Sequence, residues 1–156
     1  MMDYFDQQTL EIFWQLFLAV TLGAIIGVER ELAHKPAGVR THALVALGSA
    51  LFTVLSAYAV KGVPGMDPTR IAAQIVTGVG FMGAGLIVFN ESRVRGLTTA
   101  AGLWAAAAIG MAVGFRMYMV AAFATMLTLV VFVLFWWFEN IIVKRFPGRH
   151  HEQGGH

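Results

Sequence analysis

Five uncharged stretches, at residues 12–28, 43–60, 71–90, 97–115 and 117–138, take up most of this 156-residue chain. Each is close to the roughly 20 apolar residues that an α-helix needs to cross a ~30 Å hydrocarbon layer. In lipid, every backbone N–H and C=O must find its partner inside the protein, so stretches of this length admit little besides transmembrane helices. The last two are separated only by Arg116, but one helix over 97–138 would reach about 63 Å at ~1.5 Å per residue. Two spans joined by a tight turn near 110–116 fit better. Composition agrees, with 58% apolar and 13% charged residues and a mean hydropathy of +0.69. That leaves too little polar surface for a water-soluble domain. The expected fold is an all-α integral membrane protein with five transmembrane helices, read as two tandem helical hairpins plus a fifth helix. Its transmembrane domain would occupy 1–140 and a short cytoplasmic tail 141–156.

Lys and Arg divide unevenly between the two sides that five crossings define. Arg30, Lys35, Arg40, Arg93, Arg95, Lys144, Arg145 and Arg149 fall on one side, and only Lys61, Arg70 and Arg116 on the other. Positive residues accumulate on the cytoplasmic side, so the N-terminus is expected outside and the C-terminus inside. Phe13 and Trp14 at one end, and Trp136, Trp137 and Phe138 at the other, suit interfacial belts. The leader carries Asp3, Asp6 and Glu11 and no Lys or Arg, unlike a signal peptide, so the first stretch reads as a retained span. Absence of cysteine excludes disulfides and thiolate metal sites. The net charge of +2 sits beside the spans instead of along a strip, which suggests anionic lipid headgroups as partners and no nucleic acid.

Small residues recur at helical spacing. Gly78, Gly80, Gly83 and Gly85 crowd the third stretch, Gly23 and Gly27 the first, and Gly102, Gly110 and Gly114 the fourth. Between membrane helices such residues let backbones approach closely, so all nine are expected at packing surfaces. GAIIGVERE at 23–31 and GAGLIVFNE at 83–91 match at Gly, Ala, Val and Glu, the basis for reading the two hairpins as a duplication. Ser49 and Thr53 lie with His42 on a weakly polar face of the second stretch, while Gln74 and Thr77 lie in the third. Interhelical hydrogen bonding accounts for them more simply than a permeation path.

Ionisable residues gather at the expected cytoplasmic boundary. Glu29, Arg30 and Glu31 close the first stretch, Arg40, Thr41 and His42 open the second, and Glu91, Arg93, Arg95, Thr98 and Thr99 fill the third connection. Helix starts favour anions, so these residues could hold a lipid phosphate. Alternatively the glutamates pair with Arg30 and Arg40, and the threonines cap their helices. On the other side Asp67 can cap the third helix or pair with Arg70, with Pro68 at the first turn. The tail at 150–156 is rich in histidine, but nothing near it fixes a coordination geometry.

IGVERE at 26–31, KPAGVRTHALVALGSALF at 35–52, RIAAQIVTGVGFMGAGLI at 70–87 and GLTTAAGLWAAAAIG at 96–110 together resemble the MgtC/SapB family. The resemblance implies a bacterial inner-membrane protein with a five-helix hydrophobic domain, linked to growth or survival in low magnesium and in some members to virulence. Longer members add a cytosolic C-terminal domain, for which this chain has no room after Asn140, so it looks like the short SapB-type branch.

Magnesium sites usually take one or two carboxylates, yet no acid lies near the middle of any expected span. The metal ligands, if any, are therefore not assigned. No resident cofactor is read from the residues, and Mg2+ is the one ion that the resemblance brings in. There is no nucleophile with base and orienting partner at motif spacing and no P-loop, so no enzyme is expected. The favoured function is modulation of membrane ion balance or of another inner-membrane complex, with the small-residue faces open to a homodimer or partner. The alternatives are a secondary transporter or channel for Mg2+ or another cation, and an anionic-lipid-binding protein.

Overall fold

Runs of alanine and glycine decide which helix sits at the centre. In a computed structural model that describes residues 6–59, 67, 69–90 and 93–145, the helices are α1 (Gln7–Leu32), α2 (Val39–Ala59), α3 (Thr69–Leu86), α4 (Leu97–Gly114) and α5 (Tyr118–Arg145). α4 is built largely from small residues and contacts each of the other four. Its slender surface lets neighbours pack on several sides at once. One apolar cluster joins Leu22 and Ile26 of α1, Ala50 of α2, Ile109 and Val113 of α4 and Phe132 of α5. A second joins Val45, Ile75, Val79 and Leu103, attaching α3 to the far side of α2 and α4.

Several of the expected small-residue seams are in place. A Cβ added at Gly23 would lie 2.6 Å from the His42 carbonyl oxygen, and one at Gly27 would lie 2.5 Å from Val39 Cα. At Gly110 it would lie 2.2 Å from the Ala46 carbonyl oxygen, and at Gly114 2.6 Å from Thr53 Cβ. α1 and α4 thus press backbone to backbone on α2. α3 departs from the expectation of tight packing. Only Gly83 of its four glycines meets a neighbour, Ala100, while Gly78, Gly80 and Gly85 face open space. The reason is its peripheral place, where only Ile75, Val79 and Gly83 are buried.

The third stretch also ends differently from the expected span over 71–90. α3 stops at Leu86, and the chain turns into an antiparallel hairpin of β1 (Val88–Asn90) and β2 (Arg93–Arg95), with Phe89 opposite Val94. The β-branched and aromatic run Ile87, Val88, Phe89 suits a strand as well as a helix. Gly96 then returns the chain to α4 with φ 92°, and a Cβ there would lie 2.1 Å from the Leu86 carbonyl oxygen. Only glycine fits this corner without strain. Because Arg70 sits in its first turn, the uncharged part of α3 covers 71–86, about 24 Å of helix against a ~30 Å layer. α1, α2, α4 and α5 are long and apolar enough to cross.

The connections after α1 and after α4 are tight turns of one kind. His34 (φ 54°) after α1 and Arg116 (φ 64°) after α4 both adopt the left-handed conformation. Lys35 N–H donates to the Arg30 carbonyl (2.9 Å) and Met117 N–H to the Ala112 carbonyl (2.8 Å), closing each helix end in the manner of a Schellman cap. α5 runs past the expected boundary at 138 as far as Arg145, since no helix breaker intervenes before Pro147. The histidines at 150–156 and Pro68 lie outside the described residues. Phe13, Trp14, Trp136, Trp137 and Phe138 are all exposed on the helix surface. The architecture is that of an all-α membrane protein with one short hairpin.

Candidate functional site

One end of the bundle concentrates the buried ionisable groups. Arg30, in the last turns of α1, is 3% exposed, and its guanidinium grips Glu29 through Nε and Nη2 as a two-pronged fork. Its Cζ lies over the ring of Phe132 on α5, 3.6 Å from the centroid, a cation–π contact. Phe132 also reaches Gly102 of α4, where an added Cβ would sit 3.0 Å from its Cζ and 3.2 Å from His42 Nε2. Four helices therefore meet around this pair of cationic and aromatic groups.

His42 completes the cluster. It is fully buried near the start of α2, and Nδ1 lies 3.0 Å from the Gly38 carbonyl oxygen. Its Nε2 is the one buried side-chain nitrogen or oxygen without a partner among the described residues. The Nδ1 contact to a carbonyl requires the proton on that nitrogen, so in the neutral ring Nε2 is the acceptor. Glu31 is turned elsewhere. Its Oε2 accepts the Val39 N–H at 3.0 Å, so the end of α1 caps the beginning of α2.

The structure therefore divides the expected boundary cluster. It brings Glu29, Arg30 and His42 together and adds Phe132 and Gly102, which sequence reasoning had not placed there. Arg40 is exposed and pairs with neither glutamate, contrary to the pairing of Glu31 with Arg40. Thr41 is partly buried, Thr99 buried, and Thr98 and Arg95 exposed. Neither threonine caps α4, because the N-cap residue is Gly96 and no side chain bonds there. Glu91 and the Arg93 side chain lie outside the described residues.

The polar residues expected in the spans do not converge either. Thr53 is buried, and its hydroxyl donates to the Ser49 carbonyl at 2.7 Å, satisfied within its own helix. Thr77 donates to the Ala73 carbonyl on the exposed side of α3. Ser49 and Gln74 both line a groove of about 830 Å3 between α2 and α3, whose walls are otherwise mostly apolar. Near the opposite end of the bundle, Gln15 of α1 is 2% exposed and its Nε2 donates to the Val113 and Gly114 carbonyls at 3.1 and 3.2 Å. It thereby satisfies two terminal carbonyls of α4. A lone amide in a stretch rich in apolar residues was the available signal for it. Beside it Arg116 pairs with Glu11 at 2.9 Å.

Asp67 takes the capping role. Oδ1 accepts the Thr69 N–H at 2.8 Å and the Thr69 hydroxyl at 2.7 Å. These two bonds, with a smaller contribution from the charge of Arg70, hold its carboxyl below the usual aspartate range. Among the described residues no group of three or more His, Asp or Glu is arranged to hold a metal.

The model of the MgtC family matches residues 16–141 of this chain. The chain belongs to the MgtC family. Over 132 residues it is 46% identical to YhiD of Escherichia coli (strain K12), covering 81% of this chain and 61% of YhiD. It is 49% identical over 113 residues to protein MgtC of Brucella abortus (strain 2308), covering 72% of this chain and 46% of that protein. Protein SapB of Bacillus subtilis (strain 168) is 41% identical over 131 residues, 80% of this chain and 56% of SapB. The chain thus spans about half to three-fifths of the length of these relatives. No solved structure matches it at a significant level. Family membership and the apolar helices together make this a multi-pass membrane protein, and the matched stretch takes in Arg30, His42, Gly102 and Phe132.

Proposed function

We propose that this chain serves magnesium homeostasis or adaptation to low magnesium from the bacterial inner membrane, acting on membrane ion balance or on a partner complex and not as an enzyme. The magnesium context comes from YhiD, whose name associates it with magnesium transport. The choice of modulation over conduction rests on one observation, the chemistry of the packed interior. Among the described residues the buried polar side chains are Gln15, Arg30, His42, Ser49, Thr53, Ser56, Thr99 and Thr125, without a carboxylate. A divalent cation entering this interior would meet a guanidinium and neutral groups, whereas Mg2+ sites use carboxylates and keep most of their water. The contacts of Gly110 with Ala46 and of Gly114 with Thr53 fill the space along α2 and α4 that a hydrated ion would need.

The distribution of Lys and Arg supports an outside N-terminus and an inside C-terminus. The outward face of α3, with Gly80 and Gly85 open, offers close approach to a helix of a second copy or of another inner-membrane protein. The test is reconstitution in liposomes loaded with a magnesium-sensitive dye, alongside growth of a strain lacking its own copy in low-magnesium medium. The expected result is restored growth with no protein-dependent flux. Flux that disappears in Gln74→Ala or Ser49→Ala would make the chain a transporter.

A further inference from the structure

The groove between α2 and α3 opens on the outer surface of the bundle, where Leu44, Phe52 and Ile71 are exposed. Its walls include Leu44, Phe52, Ile71 and Met82, and its floor includes Gly48 and Gly78, where an added Cβ would meet nothing within 4 Å. At about 830 Å3 it falls within the ~300–1,000 Å3 range of pockets that hold small ligands. Along α2 it extends from Arg40 to Phe52, about 18 Å at ~1.5 Å per residue. That is slightly more than one leaflet of a ~30 Å hydrocarbon layer. With Arg40 at the membrane face, the far end of the groove therefore lies near the midplane.

Charge distinguishes the two ends. Arg40 is exposed at the mouth and has no carboxylate partner among the described residues, because Glu29 is held by Arg30 and Glu31 by the Val39 N–H. The first turn of α2 carries no acid, and the positive end of its helix dipole adds to the same potential. An apolar slot one leaflet deep, ending at an uncompensated cation, is complementary to an amphiphile with an anionic head. We propose that the groove binds an anionic phospholipid, one acyl chain lying against Leu44, Gly48 and Phe52 and the phosphate held at Arg40. A neutral lipid gains the same acyl contacts but not the pairing with Arg40, so selectivity resides in the head and occupancy in the groove. The lipid site rests on the groove and on Arg40, not on the magnesium reading.

The experiment uses the full chain, stripped of lipid in detergent, and counts bound lipid by native mass spectrometry. The probes are phosphatidylglycerol and phosphatidylcholine with identical acyl chains, and the melting temperature of each variant confirms folding. Phosphatidylglycerol is retained in preference, and Arg40→Gln lowers that preference about fivefold, while Arg40→Lys restores it. Gly48→Leu, which fills the floor, reduces retention of both lipids. Phe81→Leu, at an exposed position of α3 that does not line the groove, leaves retention unchanged. Equal retention of the two lipids, or a preference that survives Arg40→Gln in folded protein, overturns the proposal. So does a lipid-free dimer that Gln74→Leu dissociates, which would make a second copy the occupant.

Discussion

Arg30 is a guanidinium in the interior, a place where such groups are almost never found without partners. Glu29 neutralises its charge and the ring of Phe132 lies against its Cζ, so ion pairing and a cation–π contact hold the same group. Lysine keeps the charge but loses both the second prong and the stack. Arg30→Lys is therefore expected to destabilise the protein by about 2 kcal/mol, read as a lower melting temperature in detergent. Asp67 makes the opposite case, an exposed side chain whose state follows the solvent. Its folded pKa is depressed, so its contribution to the start of α3 is fully present above the ordinary aspartate value and is lost as pH falls through the lowered one. Carboxyl NMR should show the depressed midpoint, returning toward the ordinary range in Thr69→Ala. Neither Arg30's burial nor its cover was legible in the linear chain. A Glu-Arg-Glu triplet at the end of an apolar stretch reads as a membrane boundary, and Phe132 comes a hundred residues later. His42 was legible as polar and helix-initial, but its seclusion depends on Gly102 and Phe132.

At the level of helices, small-residue spacing was a reliable guide where a partner existed and a misleading one where it did not. Gly23 and Gly27 of α1 lie against the start of α2, and Gly110 and Gly114 of α4 lie further along it, while the denser glycines of α3 mostly face outward. Spacing reveals which surface could accept a neighbour, but burial depends on how many neighbours the topology delivers. The two kinds of glycine should respond differently to the same change. Gly110→Leu would drive a side chain into the Ala46 carbonyl and is expected to abolish folded protein. Gly80→Leu meets open space and should fold normally, gaining up to about 1 kcal/mol in helix propensity. Detergent-soluble yield and circular dichroism separate the outcomes. The end of α3 was hidden for another reason. Ile87, Val88 and Phe89 are as apolar as the helix before them, so hydropathy carries no mark where helix gives way to strand. Only Gly96, and the charges of the connection, hint at a corner.

For the molecule as a whole, the proposed orientation has α3 crossing with the four longer apolar helices, which puts the two termini in opposite compartments. Because the chain has no cysteine, single cysteines report their side unambiguously. A membrane-impermeant thiol reagent applied to intact cells should label Gln7→Cys and spare Arg95→Cys until the membrane is opened, and the reverse pattern would invert the orientation. α5 is the least buried of the four long apolar helices, attached through Ala121, Thr125 and Phe132. Phe132 is nevertheless the lid over Arg30, and it also lies against Gly102 beside His42. Synthesis delivers α1 well before α5, so the arginine and the imidazole wait in the nascent protein until Phe132 leaves the ribosome. A chain interrupted before residue 132 would carry that polar pair uncovered into the bilayer.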